Sequence, residues 1–233
     1  MTDKKPTIRI DVVSDVVCPW CYIGKRRLEK AIENTQISDN VQIIYHPFQL
    51  DPSVPSEGVD FNTYAQNRFG DGYLQKFYQV EQAGQTTGLD FDFEQLPKAI
   101  NTFHLHRLLA VAAENGQQAV LKEALLKAYF IDKLDLTDKD VLVAILTQIG
   151  WPSEKTLAIL ASDRGSDEVK EEMHYFRQLG VSGVPFYIIN KKYTLSGAQP
   201  SEVFEEALQQ VIKEIAVTVE TQNNSCDIET GEC

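Results

Sequence analysis

The spacing of apolar residues alternates between strand-like and helix-like along the chain. Thr7 to Val13 (TIRIDVV) is β-branched and bounded by Pro6 and Ser14, which predicts a strand. From Tyr22 to Asn34 the apolar positions, Ile23, Leu28 and Ile32 among them, recur at helical intervals. Val41 to Tyr45 (VQIIY) predicts a second strand, closed by His46-Pro47. Strand, helix and strand in this order predict a βαβ unit with parallel strands and a right-handed crossover.

The pattern is then helical across residues 51–179. After a Pro-rich loop, Asp51 to Gly58, helices are predicted at Phe61–Phe69, Tyr73–Gln85, Asn101–Asn115, Gln118–Ile131, Lys139–Ile149, Glu154–Leu160 and Ser166–Leu179. Asn101, Thr137 or Asp138, and Ser153 are expected to cap three of them, and Gly150 and Gly180 to end two. No fixed-period repeat is present, which disfavours a solenoid. Strand character returns at Pro185–Ile189 (PFYII), with Asn190-Lys191-Lys192 as a hairpin turn and Tyr193–Ser196 as the answering strand. A last helix is expected from Ser201 to about Val217, followed by a polar, acidic tail.

This order predicts an α/β fold, β-α-β then β-β-α, interrupted by a large helical insertion. Residues 1–50 and 180–218 would form the discontinuous α/β domain, 51–179 the insertion and 219–233 an acidic, Cys-containing tail.

Composition narrows the function. A hydrophobic content of 43% allows a sizeable core. A formal net charge of −12, without a long basic run, argues against nucleic acid or an anionic membrane as partner. Lys25-Arg26-Arg27 is the one compact basic group, expected to be a solvated helix face or to steer substrates. The N-terminus, MTDKKPTIRIDVV, has no apolar signal-peptide region, and no apolar run has the length of a membrane span. A cytoplasmic location is therefore expected. The chain's four cysteines are too few for a disulfide framework and should be thiols there unless they are catalytic.

Candidate chemistry concentrates at Cys18-Pro19-Trp20-Cys21, between the first strand and the first helix. A cysteine at a helix start lies among backbone N–H groups without intrahelical partners, at the positive end of the dipole. That position favours thiolate, the nucleophilic form. Pro19 suits the first helical position and tunes the site, because its ring presets φ and its missing N–H is not needed there. Trp20 is expected at the rim or on a peptide-contact surface. Zinc is the competing reading of a CxxC. It would need a second pair, and Cys226 and Cys233 have six residues between them, outside the usual two- to four-residue spacing. No metal is therefore expected. A second element supports redox chemistry: Val184-Pro185 precedes the Phe186 strand. It is expected to be a cis-Pro loop that offers the Val184 backbone to an extended peptide.

The segments DVVSDVVCPWCYIG at Asp11–Gly24, and GVPF with SGAQ near the C-terminus, resemble the DsbA-like thioredoxin superfamily, most closely its FrnE-like branch. The resemblance extends to about Val217. It implies a thioredoxin fold with a helical insertion and thiol–disulfide oxidoreductase activity. Cys18 would be the nucleophile, Cys21 the resolving cysteine, and Val184-Pro185 the substrate-binding loop. No cofactor is implied beyond the redox-active disulfide, with glutathione or another thiol as a co-substrate. Partners would be protein or peptide thiols and disulfides. Pro-Trp between the thiols lacks the cationic ring of Pro-His, so the potential is expected between those of thioredoxin and the periplasmic oxidant, which lie roughly 150 mV apart.

Other relatives in the superfamily, hydroxychromene-carboxylate isomerases and kappa-class glutathione transferases, use serine where Cys18 stands. A glutathione-dependent isomerase or transferase is thus the alternative, and a redox-sensing scaffold a non-enzymatic one. The resemblance also makes Cys226 and Cys233 a candidate second redox pair, since some relatives in this branch carry a downstream pair. Three intervening acidic residues disfavour thiolate there, which keeps a passive tail as the other reading. His104 and His106, two apart on a helix, cannot form an i, i+4 metal pair and are expected to pack in or beside the core. His46 and His174 are assigned no role.

Overall fold

The computed structural model describes residues 7–223. In chain order its elements are β1 (Ile8–Ser14), α1 (Pro19–Asn34), β2 (Val41–Pro47), β3 (Val59–Asp60), α2 (Phe61–Phe69), α3 (Tyr73–Gln85), β4 (Lys98–Ala99), α4 (Phe103–Ala113), α5 (Gln118–Phe130), α6 (Lys139–Gln148), α7 (Ser153–Leu160), α8 (Ser166–Gln178), β5 (Phe186–Ile189), β6 (Tyr193–Ser196) and α9 (Ser201–Asn223). Among the described residues one sheet has the order β2-β1-β5-β6. β1 runs parallel to β2 and antiparallel to β5, with Ile10 opposite both Ile43 and Ile189. This is the mixed α/β arrangement that the element order predicts, and the thioredoxin-like fold that the family resemblance implies.

Alternation in β1 decides which side of the sheet each helix covers. Ile8, Ile10 and Val12 pack with Tyr187 and Ile189 against Leu28 and Ala31 of α1 and Phe204, Leu208 and Val211 of α9. Val13, on the other face, packs with Phe186 and Ile188 against Phe176 of α8 and Val181. The hairpin β5–β6 reverses through three residues, Asn190 to Lys192; Asn190 and Lys191 are at positive φ (52° and 59°), and the Lys192 N–H donates to the Ile189 carbonyl at 3.1 Å.

Residues between β2 and β5 form a second core, and the N-terminal turn of α1 is built into it. Val16, Tyr22 and Ile23 pack there with Phe91, Phe130, Leu105 and Leu125. The insertion is helical apart from the short β3–β4 pair, which joins Val59 to Ala99. Asp138 caps α6 through the Asp140 N–H at 2.8 Å. Asn101 accepts from the Phe103 N–H at 3.0 Å, although α4 itself starts two residues later than its apolar pattern suggests. Ser153 is the first residue of α7, not its cap; Pro152 holds that position. α9 runs to Asn223, beyond the expected end near Val217, and Cys226 and Cys233 lie outside the described residues.

Candidate active site

Helix α1 starts three residues before its apolar pattern, at Pro19, and Cys18 is its cap. The Cys18 Sγ accepts from the Cys21 N–H at 3.3 Å, and the Cys18 carbonyl accepts from the same N–H at 3.0 Å. The first cysteine thus satisfies an N–H that would otherwise have no partner at the helix start. Both cysteines are thiols, 3% and 4% exposed.

The loop before β5 comes back to this point. The Val184–Pro185 bond is cis, and the Cys18 Sγ–H points at the Val184 carbonyl, 3.6 Å away. Gly24, one turn into α1, makes the approach possible. A Cβ there would lie 2.2 Å from the Tyr187 Oη and 3.2 Å from Pro185.

Cys18 and Val184 open onto a cavity of about 380 Å³ between the dithiol and the insertion. Its walls are mainly apolar and aromatic, with Phe61, Phe77, Phe93, Tyr129 and Phe130 prominent, and Arg68 and Lys76 among its polar members. Trp20, 39% exposed, also lines it. Arg68 is paired with Asp51 at 3.0 Å.

Behind the dithiol lies a polar layer. Asp15, fully buried, accepts from the Val16 N–H at 2.7 Å and the Leu50 N–H at 2.8 Å. His106 Nε2 lies 3.2 Å from Asp15 Oδ1 and 2.9 Å from the Phe48 carbonyl; two acceptors require Nε2 to carry the proton. Burial alone would push the Asp15 carboxyl up, but His106 and the Leu50 N–H hold it below the ordinary value. Burial, with the Cys18 thiol beside it, pushes the Cys21 thiol well above the ordinary value. Lys122 of α5 is also buried, and its Nζ is without a hydrogen-bond partner. Among the described residues no cluster of three His, Cys, Asp or Glu side chains converges on a common point where a metal could bind.

A crystal structure of a probable DsbA oxidoreductase from Streptomyces coelicolor superposes with a TM-score of 0.82 and 33% identity, covering 89% of this chain and 91% of that one. Residues 9–209 match the family described as the DSBA-like thioredoxin domain. The chain belongs to that family. Two more distant structures share the fold of this DSBA-like protein. One is the Pseudomonas aeruginosa cytosolic disulfide reductase DsbM, solved with GSH, at TM-score 0.62, 16% identity and coverage of 88% and 99%. The other is a 2-hydroxychromene-2-carboxylate isomerase at TM-score 0.68, 15% identity and coverage of 90% and 98%.

The structure brings Cys18, Pro19, Trp20, Cys21, Val184 and Pro185 together, but three basic residues need a different reading. Lys25-Arg26-Arg27 is not a solvated face. Lys25 is 8% exposed and pairs with Glu29 and with Glu123 of α5; Arg26 pairs with the same two carboxylates, and Arg27 donates to the Ala198 carbonyl. His104 donates toward the Leu136 carbonyl, so the two helix histidines diverge. His46, given no role from sequence, bridges Asp11 at 2.8 Å and Glu172 at 3.1 Å. Asp15 and Lys122 are the site residues that sequence reasoning missed. Lys122 did leave a trace: it stands at helical spacing from Leu125, Leu126 and Tyr129, a lysine on an apolar stripe.

Proposed function

We propose that this protein is a cytoplasmic thiol–disulfide oxidoreductase acting on protein or peptide thiols, with Cys18 as the exchanging sulfur and Cys21 as the resolving one. The observation carrying this reading is the placement of Cys18. Its sulfur caps α1, borders the aromatic-lined cavity and lies against the Val184 carbonyl, while Cys21 sits one turn inside. In the oxidising direction a substrate thiolate attacks the Cys18 sulfur of the Cys18–Cys21 disulfide. Cys21 leaves as thiolate and a mixed disulfide forms on Cys18. A second substrate thiolate then attacks the substrate sulfur, releasing Cys18. In the reducing direction the Cys18 thiolate attacks a substrate disulfide and Cys21 resolves the product. The Val184 backbone would pair with an extended peptide across the dithiol, with Trp20 flanking it.

Insulin reduction and refolding of a scrambled disulfide protein test this reading. Cys18→Ser should remove turnover, and Cys21→Ser should accumulate a covalent mixed disulfide at Cys18. Turnover that survives Cys18→Ser would sink the assignment. The equilibrium potential against a glutathione series then gives the direction of electron flow.

The apolar cavity beside Cys18 favours one second reading, a glutathione-dependent isomerase or transferase acting on a small apolar molecule. Its volume falls within the range of small-molecule sites, roughly 300–1,000 Å³. Conjugation or isomerisation that persists in Cys21→Ser would select this reading.

A further inference from the structure

Three large apolar side chains stand in water around one opening. Trp20 in α1, Leu50 after β2 and Phe69 at the end of α2 are 39%, 38% and 39% exposed, and all three line the cavity at Cys18. Exposed apolar groups gathered at one mouth mark a contact site, whereas the same residues scattered singly would need no explanation. Behind this collar an aromatic wall leads inward. Phe69 meets Phe77 of α3 at 5.6 Å between ring centroids, Phe77 stacks on Phe93 at 4.6 Å, and Phe93 reaches Phe130 of α5 at 6.1 Å. Phe93 and Phe130 are buried, so the wall runs from solvent to the cavity floor. The cations beside it are already engaged: Arg68 is held by Asp51, and Lys76 donates to the Phe69 carbonyl. Such a cavity suits an uncharged apolar group. A small molecule inside it would leave the collar wet, whereas a chain crossing the mouth covers collar and cavity together.

We propose that this cavity is a side-chain pocket that selects polypeptide substrates carrying a large apolar residue, Phe or Trp above all, two positions from the exchanging cysteine. This rests on the Cys18–Cys21 reading above. The register follows from the main chain beside the sulfur. Among the described residues the Val184 N–H donates to nothing, which leaves this backbone open to an added strand where the Cys18 Sγ meets the Val184 carbonyl. In an extended strand successive side chains point to opposite faces, and residues two apart share a face. When the substrate cysteine turns to Cys18, its immediate neighbours turn away. The residues at −2 and +2 turn with it, toward the lining that Cys18 and Val184 share with the aromatic wall. The cavity's volume of about 380 Å³ exceeds the roughly 150 Å³ that holds benzene, so a Phe or Trp ring has room to enter.

Peptide disulfide dimers test this register on the unmodified protein. Each peptide is a short Ala/Ser chain with one central cysteine and a single Phe at −2, −1, +1 or +2, or none. The Cys18 thiolate attacks one sulfur of the dimer, that S–S bond breaks and one peptide leaves as thiolate. Cys21 then displaces the second peptide, so two electrons pass from the dithiol to the peptide disulfide. Released thiol is counted by alkylation and mass spectrometry, and each rate is divided by the same dimer's rate with dithiothreitol. Phe at −2 or +2 should raise the second-order rate constant about 10- to 100-fold over the Phe-free peptide, the gain from burying one such side chain, and Phe at −1 or +1 by less than about threefold. Equal gains at neighbouring and alternate positions, or no gain at any, overturn the proposal.

Phe77→Ala opens the middle of the wall and should cut the ratio of Phe-peptide to Phe-free rates by about fivefold or more. An unchanged ratio also overturns the pocket; should the variant fail to fold, the peptide series on the unmodified protein decides. Cys18→Ser keeps the two readings apart. Release that persists there overturns the dithiol reading, whereas Cys18-dependent release without positional preference overturns the pocket alone.

Discussion

The two sulfurs of the CxxC differ in their neighbours more than in their burial. Cys18 borders an open cavity, whereas Cys21 lies one turn inside α1, buried and outside that cavity's lining. Burial and the adjacent Cys18 push the Cys21 thiol up. Cys21 in a Cys18→Ser variant should therefore alkylate roughly tenfold more slowly at neutral pH than Cys18 in Cys21→Ser, measured by iodoacetamide labelling and mass spectrometry. His46 gives a second residue-level test. Burial would lower its proton affinity, but Glu172 and Asp11 raise it above the ordinary value of 6.5. Its contribution is complete below about 6.5 and is lost as pH rises through the higher folded value. Asp11 has the opposite sign. Burial would raise it, Arg9 and His46 lower it, and its contribution is lost only as pH falls below its ordinary 3.8. His46→Gln should cost about 1–3 kcal/mol in urea titrations at mildly acid pH and progressively less at alkaline pH. Neither role was legible in the sequence, because both histidine partners come from residues far along the chain.

Two contacts at the level of elements hold the dithiol in place. Glu123 of α5 receives Lys25, Arg26 and the Tyr22 hydroxyl, the last at 2.8 Å, and so ties α1 to the insertion. Burial would raise the Glu123 carboxyl, yet Arg26 and Lys25 bring it down to about 2. Its stabilisation is present above its ordinary 4.5 and lost as pH falls from there toward about 2. Glu123→Gln should lower stability by about 1–3 kcal/mol at neutral pH and flatten that acid limb in thermal melts against pH. The second contact is Gly24 beneath Pro185. Gly24→Ala forces a Cβ to within 2.2 Å of the buried Tyr187 Oη, and such overpacking costs about 1–3 kcal/mol. It should also slow exchange at Cys18, read by the same thiol assay, because the α1 start and the Val184 loop are spread apart. Element types were largely readable from periodicity. The start of α1 was less so, because Pro19-Trp20-Cys21 carries no apolar stripe and the helix there is set by its cap. Basic residues 25–27 misled for a related reason: a charged triplet looks the same whether water or a distant carboxylate receives it.

At the scale of the whole molecule, the fold order was visible because strand and helix periods differ and change at few places. The interrupted β-α-β and β-β-α halves, with helices between, match the sheet order β2-β1-β5-β6. What periodicity cannot convey is which insertion side chains look inward at the dithiol. Lys122 and Glu123 are neighbours in sequence on α5: one is buried near the Tyr45 ring of β2 without a hydrogen-bond partner, the other pairs with Lys25 and Arg26 of α1. Among the described residues no helix is long and apolar enough to cross a membrane.

The contact between Cys18 and Val184 spans 166 residues of chain. At ribosomal rates of roughly 5–20 residues per second, the nascent polypeptide carries its CxxC for roughly ten to thirty seconds before that loop is even synthesised. Throughout that interval both thiols are open to any oxidant or disulfide that the growing chain meets. A ribosome-stalled fragment ending before Val184 should thus show two freely alkylated cysteines, where the finished protein shelters one. The separation that completes the site at the end of synthesis also keeps its chemistry unsupervised at the beginning.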